Sequence, residues 1–234
     1  MKARTRILDA AMLVFRRHGF RRSSIEQAAE AAGLTRQALY HHFKSKEALF
    51  RAVIERLYEN ALAAEIAAAN AAEKAGGSIA DIILAEITGR LRQVIGSFHG
   101  SPHIEELFSE HLVQARDLYQ KYSGLYGKQL AATIERVCRK QQLTLAAGMN
   151  SRNFARCIEM AISGSKSMHP AMQPADAFLK DLEIMVRTLV AGAVGASPKL
   201  RPMKPATAKK PSAKTLEIAN EHDDDQRPRR APPR

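Results

Sequence analysis

The sequence predicts an all-α protein: a small three-helix head carrying a helix-turn-helix, followed by a larger helical domain. Three observations predict it. Good helix formers dominate the chain and no stretch alternates β-branched residues. Apolar residues recur at three- and four-residue spacing in one segment after another. Aromatics make up only 6% of the 234 residues and Trp is absent, so a 45% hydrophobic chain must build its core from Ala, Leu, Ile, Val and Met.

The elements follow in order. Ile7, Ala10, Ala11, Val14 and Phe15 form one helical face, which His18-Gly19 stops. Ser24 opens a second helix, with Gln27 three residues on completing a capping box, and Ile25, Ala28, Ala29 and Ala32 forming its stripe. Gly33 ends it after about nine residues. Thr35 caps a third short helix, and Ser45 caps a fourth whose stripe is Leu49, Phe50, Val53 and Leu57. That helix is expected to run to about residue 70. Gly76-Gly77-Ser78 is the first clear break. Longer helices are predicted at about 78–97, 102–121, 124–141, 151–166 and 174–193, punctuated by Gly100-Ser101-Pro102, Gly148-Met149-Asn150 and His169-Pro170. The last helix is apolar over a wider arc than one packing surface requires, as deep burial or an oligomer interface would demand.

Three parts are expected: a head at residues 1–61, a body at 62–196 and a tail at 197–234. Seven of the ten prolines fall in the tail, whose composition predicts disorder. Charge divides the same way. The net +12 is made of +6 in residues 1–60, +1 in 61–196 and +5 in 197–234. Basic ends on a nearly neutral middle suit a phosphate-binding head with a separate second function. The tail could add nonspecific DNA affinity or only solubility. Two cysteines, Cys138 and Cys157, form no C-x-x-C pair, so neither a disulfide framework nor a cysteine zinc site is expected. No signal-like or membrane-length apolar run occurs, which predicts a soluble cytoplasmic protein with no membrane partner.

Function concentrates between Ser24 and Lys46. Two short helices joined by a glycine turn can place the second, at about 35–41 within a helix-turn-helix of about 24–43, in a DNA major groove. Arg36 and Gln37 are suited to bidentate contacts with guanine and adenine edges. Tyr40 and His41 can reach phosphates or stack, while Ser24, Thr35, Lys44 and Lys46 are candidate backbone contacts. Phe43 is expected in the core against the first helix, and His42 packed or solvated. Adjacent His41 and His42 diverge by about a hundred degrees on a helix, a poor metal pair.

The run from Ser24 to Phe50, with Ile7 to Ala11 and Phe15, His18, Gly19 and Phe20 before it, resembles the DNA-binding head of the tetracycline-repressor (TetR) family. The resemblance covers about residues 3–60. Only the small Ala28 and Ala29, where the family often has a larger aliphatic residue, depart from it. It implies three DNA-binding helices, a fourth leading outward, and a helical domain for ligand and dimer. It also implies backbone contacts by Tyr40, His41 and Lys46, and a homodimer through the helices at about 151–166 and 174–193 that reads a palindromic operator. Their wide apolar arcs suit such an interface independently.

In the body, Tyr119, Tyr122 and Tyr126 recur at three and four residues, spacing that serves either a ligand cavity or ordinary packing. Phe98, His103, Cys157 and Met160 are further candidates for contact with a small-molecule effector. His99, His103 and His111 with Glu105, Glu106 and Glu110 lack the spacing of a catalytic zinc helix, and neither metal nor cofactor is expected. Basic residues flank Cys138, which leaves a redox switch open beside an idle thiol. The expected function is a sequence-specific repressor released from DNA by a small molecule; the alternative is an activator or architectural DNA binder without an inducer. No nucleophile elbow, P-loop or dinucleotide fingerprint is present, so no enzyme is expected.

Overall fold

A computed structural model describes residues 3–196; the expectations for the tail fall outside them. Nine α-helices occur among the described residues: α1 Ala3–His18, α2 Ile25–Ala31, α3 Arg36–His42, α4 Lys46–Lys74, α5 Ile79–Phe98, α6 Ile104–Gln114, α7 Arg116–Gln141, α8 Ser151–Met168 and α9 Ala175–Ala193. None of them is long and apolar enough to cross a membrane.

The first four helices start where their caps place them. Ser24 and Gln27 make the reciprocal capping box, and the Thr35 and Ser45 hydroxyls accept from the Ala38 and Ala48 amides at 3.1 Å each. The head closes on Phe15, Phe20 and Phe50, whose ring centres lie 4.7 to 6.0 Å apart. Burying side chains of this size contributes about 2–3 kcal/mol each. Leu39 from α3 is wholly buried in the same core, and Phe43 is buried with the Arg4 guanidinium of α1 over its ring.

Helix α4 is the spine of the molecule. It runs 29 residues without interruption, four beyond the expected end, past the boundary expected near residue 61. Beyond the head, α5 lies along α4, and α7, α8 and α9 complete a second apolar core around Ile82, Ile83, Leu91, Ile134, Phe154, Ile158, Phe178, Leu182 and Val186. Val94 and Phe108 touch both cores.

Two features differ from the sequence expectation. The break foreseen near 121–124 does not exist; the chain turns instead at Ala115 (φ −138°, ψ 34°), and α7 passes unbroken through Tyr122-Ser123-Gly124. Burial of Leu118, Tyr122 and Tyr126 along one side of α7 outweighs the local helix-breaking tendency of Ser and Gly. The fold is also not purely helical. Strands β1 Leu143–Leu145 and β2 Val194–Ala196 pair antiparallel, with Thr144 opposite Gly195, and tie the α7–α8 connection to the end of α9.

Polar contacts fasten the head to the body. The Arg21 amide donates to Glu106 and its guanidinium to Glu110, each at 2.8 Å, so two carboxylates of α6 grip the loop between α1 and α2. Arg51 of α4 makes a bidentate pair with Asp117 at 2.7 Å per arm, which holds that carboxyl down at about 2. The Ser101 hydroxyl donates to the Arg16 carbonyl at 2.7 Å, and Arg16 reaches back to the His99 carbonyl.

Candidate nucleic-acid interface and body cluster

Gly33, at φ +65°, lets the chain reverse between α2 and α3, a conformation that L side chains resist. Leu39 and Phe43 then anchor α3 from below, which leaves Thr35, Arg36, Gln37, His41, His42 and Lys44 exposed and Tyr40 half-buried. Arg36, Gln37, Tyr40 and His41 thus share one short helix on the outer side of the head. Arg36 is held in place: Nε lies 2.7 Å from Glu26 of α2, and its guanidinium lies 5.5 Å from the Tyr40 ring centre. Glu26 was not foreseen as its partner, although the pair is 64% and 46% exposed and so can be exchanged for a contact elsewhere at little cost. Ser24 and Thr35 accept amide protons as caps, and the Ser24 hydroxyl also lies against the Glu26 carboxyl and helps hold it below its ordinary range.

Lys46 departs from expectation. Its ammonium donates to the carbonyls of Phe20, Arg21 and Ser23 at 3.0, 3.2 and 3.1 Å and sits 4.6 Å from the Phe20 ring centre. An ammonium has three protons, and all three are engaged by the α1–α2 loop. Lys46 thereby clamps that loop to the start of α4. A lysine at a helix start is ambiguous in sequence, because the loop it faces lies 23 to 26 residues away.

The body candidates divide. Phe98, Tyr119, Tyr122 and Tyr126 are brought together through Tyr58 and Phe108, not singled out before, and His111, weighed before only as a metal ligand. The ring centres of Tyr58 and Tyr122 are 5.1 Å apart, Phe98 and Phe108 5.1 Å, Phe108 and His111 5.7 Å, and His111 and Tyr119 6.0 Å. Burial pushes the His111 imidazole down to about 4, so its ring is neutral at pH 7. His103 lies instead at the start of α6, 3.9 Å from Glu106. Cys157 is half-buried on α8. Met160 is 63% exposed and does not join the cluster; with Met168 on the same helix and Ile184 on α9 it leaves apolar surface on the outside of the chain.

Charged groups sit in the core beside the aromatic layer. Arg90 of α5, 3% exposed, donates to Glu159 of α8 at 2.9 Å, faces Glu65 of α4 at 3.4 Å, and lies 4.4 Å from the Tyr126 ring centre. Glu86 of α5 is completely buried and its carboxyl neighbours that of Glu65. Burial raises both carboxyls above the ordinary range, Glu65 against the pull of Arg90 and Glu86 against that of Thr133. Lys166 of α8 is pushed down to about 8 by burial and by the Arg90 charge. The sequence carried a signal for this cluster: Glu65 falls on the buried stripe of Ala61 and Ala69, and Glu86 and Arg90 fall on that of Ile83, Ile87 and Leu91.

Residues 7–53 match the family model described as bacterial regulatory proteins, tetR family. Over 60 residues the chain is 45% identical to the HTH-type transcriptional regulator UidR of Escherichia coli K12, covering 26% of this chain and 31% of that protein. Over 58 residues it is 38% identical to TtgR of Pseudomonas putida, covering 25% and 28%. The matched stretch is thus under a third of these curated relatives. The whole fold is similar to SmeT, described as the repressor of the Stenotrophomonas maltophilia multidrug efflux pump SmeDEF, with TM-score 0.57 and 22% identity over 89% of this chain and 96% of that one. A TetR-family regulator from Cytophaga hutchinsonii superposes with TM-score 0.61 and 18% identity over 81% and 94%. Residues 7–53 thus form a head that matches the tetR family of bacterial regulatory proteins, on a fold similar to solved structures of such regulators.

Proposed function

We propose that the protein is a transcriptional repressor that grips a palindromic operator as a homodimer and releases it when a small molecule enters the body. The observation that carries the DNA-reading part is the outer face of α3. Arg36, Gln37, Tyr40 and His41 project from a helix fixed by a buried Leu39 and a Thr35 cap, within a head similar to those of known regulators. Such a helix offers side chains for base edges, with hydroxyl and basic groups at its ends for phosphates. The repressor sense follows the description of SmeT. The dimer is supported by the exposed Met160, Met168 and Ile184 on α8 and α9, the helices expected to form it. The effector site is supported by the aromatic and charged cluster enclosed by α4 to α8.

Fluorescence anisotropy against DNA from upstream of its own gene and against a scrambled duplex, over a salt series, tests the reading. Specific binding with a dimer footprint is expected. Arg36→Ala should lower specific affinity about 5- to 100-fold and relax the preference at one base pair while leaving nonspecific binding nearly as it was. Equal loss on both duplexes would remove Arg36 from base reading.

A further inference from the structure

Glu86 poses a problem that the packing around it does not solve. Among the described residues no donor lies in good hydrogen-bond geometry to either of its carboxylate oxygens, which face the Thr133 hydroxyl and the Glu65 carboxyl, although the side chain is completely buried. Glu65 Oε2 beside it stands 3.4 Å from Arg90 without an aligned hydrogen bond. Arg90 is already shared between Glu65, Glu159 and the Tyr126 face, and Arg136 is drawn to Glu73 at 3.0 Å. Among the described residues no cation forms an ion pair with Glu86, which feels Arg136 and Arg90 only from a distance. Next to it Tyr126 donates to the Tyr58 carbonyl at 3.3 Å, and the buried Tyr58 hydroxyl is itself unpartnered among the described residues. Unsatisfied buried acceptors destabilise a core, so one that retains them calls for another use.

We infer that the effector is an organic cation, an ammonium or amidinium on an aromatic or aliphatic body, whose charge lies between the Glu65 and Glu86 carboxylates and whose apolar part rests on Tyr58, Tyr122 and Tyr126. This rests on the ligand-released reading above and names the chemistry of its ligand. Unpartnered acceptors select a donor, and two carboxyls select a positive one. The tyrosine rings already hold positive charge, Arg90 over Tyr126 at 4.4 Å and Lys121 over Tyr122 at 4.9 Å. Without ligand, the two carboxyls keep a proton between them because burial penalises a second negative charge there. A bound cation takes over that role, so binding releases protons to the solvent. The groups facing the pair are Arg90 from α5, Tyr126, Thr133 and Arg136 from α7, and Glu159 from α8, with Lys166 of α8 behind Arg90 and Glu159. The site is closed over in this structure, so a cation entering it must displace packed side chains of α4, α5 and α7.

Titration calorimetry on the full chain provides the test, with 4-phenylbutylammonium, benzamidinium and longer arylalkylammonium ions against neutral alcohols and carboxylates of the same skeletons. The cations are expected to bind about 10- to 100-fold more tightly than their neutral and anionic counterparts. Proton release, read from the dependence of heat on buffer ionisation enthalpy, should accompany binding. Glu86→Gln, its fold checked by circular dichroism and by melting, should remove both the preference and the proton release. Binding of the neutral or anionic members as tightly as the cations, no binding of any cation, or an unaltered preference in Glu86→Gln would each overturn the inference. Operator binding, measured separately without any effector, decides the repressor reading: a chain that binds cations yet no operator fails that reading and leaves the cation site standing.

Discussion

Three side chains show how much a single residue is decided by what faces it. Arg36 and Arg90 carry the same group, yet Arg36 is 64% exposed with one exchangeable partner while Arg90 is sealed between two glutamates and a tyrosine. Lys46 lies a few residues from the candidate DNA-contact groups, and the loop carbonyls take all its protons. Glu86 is the sharpest case, because burial there works against the fold. Its carboxyl and that of Glu65 hold a proton in the folded state that the unfolded chain releases above pH about 4.3. The folded state therefore binds more protons in that range, and stability falls as pH rises from there toward the raised folded values. Glu86→Gln keeps the shape, supplies an amide donor to Glu65 and removes the second acid. Its melting temperature should exceed that of the native chain at pH 8, by the equivalent of about 1–3 kcal/mol, and the gap should narrow toward pH 4.5. An equal gap at both pH values, or a less stable variant at pH 8, would mean that the pair is not the source of strain.

At the scale of elements, α4 and α5 set the body because they approach so closely. A Cβ built on Gly89 of α5 would lie 2.7 Å from Ala68 Cβ and 3.0 Å from the Ala64 carbonyl. Small residues on facing turns bring the two backbones together and leave Glu65 and Glu86 side by side. Gly89→Ala should consequently lower stability, since overpacking costs about 1–3 kcal/mol and helix propensity returns only about 1 kcal/mol. The same change at Gly124, exposed on α7 with open space around it, should raise stability by about 0.5–1 kcal/mol. Chemical denaturation of both variants checks the contrast, and a stabilised Gly89→Ala would show that α4 has room to retreat. Elements were legible in the sequence where stripe and cap coincide, as at Ser24 with Ile25 and Ala28, at Thr35 with Leu39, and at Ser45 with Leu49. The turn at Ala115 was not, because no Gly, Pro or capping side chain marks it; the packing of α6 against α1 and α4 makes it. Strands of three residues are too short for alternation to show. The exposed residues proposed for DNA contact could be picked out together because they lie within one short segment. Glu65, Glu86 and Arg90 were readable only as charges on apolar stripes, and their meeting needed the register of α4 on α5.

Across the whole molecule, the question is how an event in the body reaches α3. Helix α6 touches both ends of the problem. Phe108 and His111 lie in the aromatic cluster, against Phe98, Tyr58 and Tyr119, while Glu106 and Glu110 of the same helix hold Arg21 in the head. A ligand that displaces the rings can thus move the carboxylates that fix the α1–α2 loop, and Lys46 carries that loop to the start of α4. The ligand's effect on operator affinity equals, by linkage, the operator's effect on ligand affinity, typically about 5- to 150-fold in such systems. If the grip on Arg21 transmits it, Glu106→Gln together with Glu110→Gln should pull that ratio toward one, with the folded chain still binding both partners separately. Operator affinity with and without saturating arylalkylammonium ion gives the ratio in one direction, and cation affinity with and without operator gives it in the other. Equal ratios in both directions, both reduced in the double variant, are expected. An undiminished ratio would move transmission to the Arg51–Asp117 pair, which joins α4 to the start of α7 and touches neither glutamate.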